Sequence, residues 1–120
     1  MPRPLVLVVE DEPLIRMSAV YMLAEAGFDV VEAGSSDEAI ALLEANTRIR
    51  IVFTDIDLPG SMNGLKLAAA IRDRWPPIEL ILTSGHIHVG EEDLPERGLF
   101  LEKPYSAQQL TEAMRSFGQR

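Results

Sequence analysis

The chain has 120 residues, 47% apolar and 25% charged, which is the arithmetic of one globular domain and excludes a disordered or fibrous polymer. It has no cysteine, so disulfides and thiolate metal sites are excluded, and no apolar run approaches the ~20 residues of a membrane helix. Eleven basic residues against 19 acidic ones leave a net charge of −8, which disfavours binding to a phosphate backbone and favours a divalent cation wherever the acids converge.

In chain order, Met1-Pro2-Arg3-Pro4 leads into an apolar run that stops at Glu10, too short for a signal peptide. That run, Leu5-Val6-Leu7-Val8-Val9, reads as a strand covered on both faces. A helix is expected from about Pro13 to Ala26, with proline tolerated in its first turn and Gly27 as its stop. Its expected core stripe is Ile15, Ala19, Met22, Leu23 and Ala26. A weaker strand is expected at Asp29–Glu32. Ser35-Ser36-Asp37-Glu38 then opens a second helix with a capping-box pattern, burying Ala39, Leu42 and Leu43. Ile51–Thr54 is the third strand. A helix after Asn63-Gly64 carries Leu67, Ile71 and Trp75 until Pro76-Pro77 stops it. Leu80–Thr83 is the fourth strand. From His86 to Arg97, glycine, proline and the Glu91-Glu92-Asp93 run allow at most a short helix. Leu99–Leu101 is a fifth strand. Ser106-Ala107-Gln108-Gln109 caps a last helix that buries Leu110, Ala113, Met114 and Phe117.

Alternation of this kind predicts an α/β fold, a doubly wound five-stranded parallel sheet with helices on both faces. Ligands in such sheets sit beyond the carboxyl ends of the strands. Those ends carry Glu10-Asp11-Glu12, then Asp55 and Asp57, then Ser84-Gly85, then Lys103-Pro104. Gathered at one rim, they make a carboxylate cluster with one hydroxyl and one ammonium. Crowded carboxylates ionise reluctantly unless a cation neutralises them. Oxygen donors without His or Cys suit Mg²⁺, with Mn²⁺ as the substitute. A carboxylate can also attack phosphorus, and Asp55, ending a central strand, is the candidate nucleophile. Lys103 and Ser84 would hold the oxygens of a transferring phosphoryl group. Taken singly, each residue has a plainer use: Asp11 or Glu12 as a helix cap before Pro13, and Ser84-Gly85 or Lys103-Pro104 as turns. All of them in register at successive strand ends favours the chemical reading.

Together, Val8-Val9-Glu10-Asp11-Glu12, Phe53-Thr54-Asp55-Ile56-Asp57-Leu58-Pro59-Gly60, Thr83-Ser84-Gly85 and Phe100-Leu101-Glu102-Lys103-Pro104-Tyr105 resemble the receiver domain of two-component response regulators over nearly the whole chain. The resemblance implies a flavodoxin-like sheet with strand order 2-1-3-4-5 and a single cytoplasmic domain over residues 1–120. It implies that Asp55 is the phosphoacceptor, and that Asp11 ligates Mg²⁺ with Glu10 assisting and the Asp57 backbone carbonyl as a further ligand. Ser84 would be the switch hydroxyl, chosen over Thr83 because Thr83 continues the apolar strand and Ser84 precedes the glycine. Lys103 would hold a phosphoryl oxygen, and Phe100 would be the switch aromatic. Asp57 and His86 fall where the family tunes the lifetime of the phosphoryl group.

The implied partners are a sensor histidine kinase or histidine phosphotransfer protein and a downstream protein target, with no membrane and no direct nucleic acid. A monomer or weak homodimer is expected. Leu14, Met17 and Tyr21, at i, i+3 and i+7, form a second apolar stripe on the first helix, a candidate docking face. No output domain is expected within the chain, either because the regulator stands alone or because it is a piece of a longer protein. His86 and His88 have no zinc-ligand companions. Two rivals remain. Asp55-Ile56-Asp57 is similar to the DxD signature of haloacid-dehalogenase-type phosphatases, but here the acid cluster precedes it and too little chain follows Lys103. A receiver-like module that signals without phosphate is the other, and the intact acids, Ser84 and Lys103 argue against it.

Overall fold

The structure is a computed structural model, and it describes residues 3–60, 62–85 and 91–117. Five parallel strands, β1 (Leu5–Val9), β2 (Asp29–Ala33), β3 (Ile49–Asp55), β4 (Glu79–Ser84) and β5 (Gly98–Glu102), form one sheet in the order β2-β1-β3-β4-β5. The four helices are α1 (Pro13–Glu25), α2 (Ser36–Ala45), α3 (Gly64–Arg74) and α4 (Ala107–Phe117). This is the doubly wound sheet that the alternation predicts. No helix among the described residues is long and apolar enough to cross a membrane.

The alternation of side chains along each strand builds two cores. Leu5, Leu7, Val9, Val52, Leu80 and Leu82 face α2 and α3, where Ala39, Leu43, Leu67 and Ile71 meet them. Val6, Val8, Ile51, Phe53 and Ile81 face α1 and α4, against Ala19, Leu23, Leu110 and Met114. Each fully buried Leu or Ile contributes roughly 1.5–3 kcal/mol, so the central strands, buried along nearly their whole length, are the rigid frame. At the edges, β2 and β5 are mostly half-buried, as strands with a single neighbour should be.

The helix ends largely follow the local chemistry. Ser35 Oγ accepts from the Glu38 amide, while the Glu38 carboxylate accepts from the Gly34 amide. Ser106 and Gln109 form the reciprocal box at α4. At α1 the outcome differs. Glu12 occupies the N-cap but its side chain makes no capping bond, and Pro13 takes the first turn. One expectation for the α1 core is corrected: Ala26 is exposed. It is the C-cap, and beyond it the chain leaves the helix through Gly27 at φ 98°, so its methyl never faces the sheet. Ala19 and Leu23 are buried as expected, and Ile15 and Met22 are half-buried. Between β4 and β5 the described residues hold only a single 3₁₀ turn at Glu91–Asp93, in line with the weak helical signal there. His86 and His88 lie outside the described residues.

Candidate functional site

The carboxyl ends of β1, β3 and β4 bring the acids and the hydroxyl to one rim, and the residue after β5 adds the ammonium. Parallel pairing aligns Val9 with Thr54, Asp55 with Thr83 and Ser84 with Glu102, so the residues that follow these rungs emerge side by side. Glu10 and Asp55 are each 4% exposed, while Asp11 faces solvent.

Lys103 Nζ lies 3.1 Å from Glu10 Oε1 and 3.3 Å from Asp55 Oδ2, bridging both carboxylates. Glu10 Oε2 accepts the Glu12 amide at 3.1 Å, and Asp55 Oδ1 accepts the Asp57 amide at 3.3 Å. The Asp57 carboxylate is itself engaged, since Ser84 Oγ donates to its Oδ2 at 2.8 Å. Burial pushes the Glu10 carboxyl above its usual value; the Asp55 charge adds to this, and the Glu12 amide and Lys103 only partly oppose it. For Lys103 burial works against the ammonium, but Asp55 and Glu10 outweigh it and hold its pKa above the ordinary value. The ammonium is therefore charged at neutral pH and shared between two acids.

Glu10, Asp11 and Asp55 each offer a carboxylate oxygen, and these oxygens all lie within 4.8 Å of one another. An all-oxygen set of this spacing, anionic and open to solvent through Asp11, fits Mg²⁺ better than a thiophilic metal. The capping alternative for the acids is not realised at Glu12, since α1 has no side-chain cap. Ser84-Gly85 and Lys103-Pro104 do turn the chain, the latter through a cis peptide bond, yet their side chains also reach the acids.

The two adjacent hydroxyls at the end of β4 part company. Thr83 Oγ1 is buried with no hydrogen-bond partner among the described residues, in a pocket also lined by Phe53 and Tyr105. Ser84 reaches Asp57 instead. Phe100 is half-buried against the α2/α3 core, paired in register with Leu82 and on the face that Ser84 shares by alternation. Leu14, Met17 and Tyr21 are 80%, 62% and 67% exposed, so no described part of the chain covers them.

Some residues that build the site give no sequence signal. Arg16 ties α1 to the rim by donating from Nη1 to the Glu10 carbonyl at 2.8 Å and pairing with Glu32 on β2 at 3.0 Å. Gly64 starts α3 directly against the backbone of Asp55 and Ile56, where a Cβ would collide, and its amide donates to the Ile56 carbonyl at 2.9 Å. The spacing of charges could have raised Arg16 as a candidate only if the pairing of β1 with β2 had been known.

A five-stranded 2-1-3-4-5 sheet with an acid cluster and a lysine at its carboxyl rim defines a class of signalling receiver. The response regulator receiver domain family matches residues 6–115, and the chain belongs to that family. It is 37% identical over 113 residues to the sensor kinase CckA of Brucella abortus, covering 88% of this chain and 11% of that protein. It is 34% identical over 116 residues to the transcriptional regulatory protein PdtaR of Mycobacterium tuberculosis, covering 91% of this chain and 54% of that one. The crystal structure of a response regulator receiver protein from Pseudomonas putida superposes with a TM-score of 0.86 at 32% identity, covering 97% of this chain and 98% of the other. The chain thus spans between about a tenth and just over half of these two curated relatives, 11% and 54%.

Proposed function

We propose that this chain accepts a phosphoryl group from a phosphohistidine on a sensor kinase or phosphotransfer protein, and that the modification changes its contacts with other proteins. The observation that carries the reading is the Lys103 ammonium bridging Glu10 and Asp55, with Asp11 completing an oxygen cluster beside it. A carboxylate oxygen of Asp55 attacks the donor phosphorus and a P–O bond forms. The P–N bond breaks, its electron pair returns to the imidazole, and the histidine leaves after taking a proton from solvent. Lys103, already charged and 3.3 Å from Asp55, is placed to neutralise a phosphoryl oxygen. Asp11 and Asp55 would hold Mg²⁺, with Glu10 assisting and the Asp57 carbonyl adding a ligand. The ion would supply the positive charge that lets an anionic donor approach this acidic rim.

Ser84 is the hydroxyl that turns to the new group, and Phe100, on the same face of the sheet, follows it. Phosphorylation then favours one of two pre-existing surfaces. The chain is not an enzyme in the usual sense, because it is consumed stoichiometrically until its acyl phosphate hydrolyses. Leu14, Met17 and Tyr21 are the surface offered to the donor. Leu14 also lines a groove of about 520 Å³, shared with Ile15, Ser18, Met22, Pro104 and Tyr105, that reaches Lys103.

The test is intact-mass spectrometry after treatment with acetyl phosphate and Mg²⁺. The wild-type chain gains the mass of one phosphoryl group, and both Asp55→Asn and removal of Mg²⁺ with a chelator abolish the gain. Full uptake by Asp55→Asn removes the assignment. Continuous hydrolysis of many phosphate esters would place the chain with the phosphatases instead.

A further inference from the structure

We propose that Asp57 is a latch: its carboxylate holds the Ser84 hydroxyl and releases it only when a phosphoryl oxygen on Asp55 competes for the same proton. The proposal rests on the phosphoacceptor reading of Asp55 and adds a positioning residue that acts through Ser84.

The geometry is that of a competition. Ser84 Oγ lies 2.8 Å from Asp57 Oδ2, the usual distance for a hydroxyl donating to a carboxylate oxygen. Ser84 is 1% exposed, so water does little to dilute this bond. A hydroxyl carries a single proton, and it cannot donate it fully to two acceptors. The same residue that takes the proton also contacts the phosphoacceptor, because the Asp57 amide donates to Asp55 Oδ1 at 3.3 Å. Asp57 therefore spans both halves of the switch, with its backbone on Asp55 and its side chain on Ser84. A neutral side chain at position 57 would accept the hydroxyl more weakly or not at all, and the hydroxyl would be freer to turn. The latch sets a threshold. Phosphorylation must supply an acceptor that outbids a carboxylate before the Ser84 end of β4 moves.

The experiment is a double-mutant cycle on the full chain, read as the affinity for beryllofluoride with Mg²⁺, an anion that binds a carboxylate in place of a phosphoryl group. The four proteins are wild type, Asp57→Ala, Ser84→Ala and the double variant. Asp57→Ala tightens beryllofluoride binding in the presence of Ser84 by about three- to ten-fold more than it does in the Ser84→Ala background, the range expected for one partly buried hydrogen bond. Equal changes in the two backgrounds would show that Asp57 acts only by charge repulsion, and the latch would be overturned. A loss of affinity, or no change, with Ser84 present would overturn it as well. If Asp57→Ala does not fold, Asp57→Asn replaces it, with the same sign and a smaller gain. A wild-type chain that takes neither beryllofluoride nor a phosphoryl group at Asp55 sinks the phosphoacceptor reading itself, and the latch with it. Normal uptake with no coupling sinks the latch alone.

Discussion

Two acids and one ammonium decide the chemistry of the rim at the residue scale. Lys103 cannot neutralise both Glu10 and Asp55, so the cluster keeps a negative balance that a divalent cation can complete. Tyr105 stands at the edge of this field. Its ring meets Phe53 edge-on, with centroids 5.5 Å apart at 73°. Burial raises its phenol above the ordinary 10.0; the Lys103 ammonium opposes this and the charges of Glu10 and Asp55 add to it. A pKa raised on folding means that the neutral phenol is the form the fold prefers. Its stabilising contribution is complete below pH 10.0 and is lost as the pH rises through the higher folded value. Alkaline titration followed by phenolate absorbance will therefore show a late step in the wild type that Tyr105→Phe lacks. Above pH 10.0 the wild type will also lose stability more steeply than the variant does. Identical alkaline titrations of the folded proteins would remove this account of Tyr105.

At the scale of elements, the placement of Asp55 depends on how closely α3 is set against β3. The helix begins at Gly64, capped by the Asn63 side chain accepting from the Lys66 amide at 3.0 Å. Its first residue presses on the carbonyl of Asp55, a contact that no side chain allows. Gly64→Ala forces either the helix or the strand end to move. Overpacking of a buried contact costs about 1–3 kcal/mol, measurable by chemical denaturation. The displaced strand end should also slow phosphorylation of Asp55 by acetyl phosphate, because the carboxylate and Lys103 no longer meet at 3.3 Å. A variant as stable and as reactive as wild type would mean that α3 can retreat without consequence. The opposite end of the same helix shows a looser fit, since Trp75 is half-buried and covered by the Arg74 guanidinium 4.3 Å from its ring.

For the whole molecule, what was legible in the sequence and what was not divide along a physical line. Strand runs such as Leu5–Val9 are apolar on both faces because both faces are covered, and that signal survives without any tertiary knowledge. Glu10, Asp11, Asp55, Ser84 and Lys103 could be placed at one rim because a parallel doubly wound sheet puts all its strand ends on one side. Arg16 and Gly64 could not be placed, because each matters through a spatial contact that periodicity does not encode: Glu32 for the first, the Asp55 backbone for the second. Ala26 misled the helical stripe because periodicity does not mark the last turn at which a helix leaves the sheet. The stripe of Leu14, Met17 and Tyr21 was equally visible as a pattern, but a pattern does not distinguish a buried face from an open one. The structure leaves it open while burying Ala19 and Leu23 on the same helix. Leu14 of this exposed row lines a groove that reaches Lys103, and the proposed docking of a phosphohistidine-bearing helix would use it. Leu14 is 80% exposed, so Leu14→Asp will leave stability within about 0.5 kcal/mol of wild type. It will slow phosphoryl transfer from the cognate protein donor by about ten-fold, the loss of one apolar anchor at an interface. Acetyl phosphate, which needs no docking surface, will react at the wild-type rate. Rapid-quench measurement of both donors decides the matter. Equal slowing of the two would mean that the substitution reached the acid cluster, and unchanged transfer from both would mean that the donor docks elsewhere.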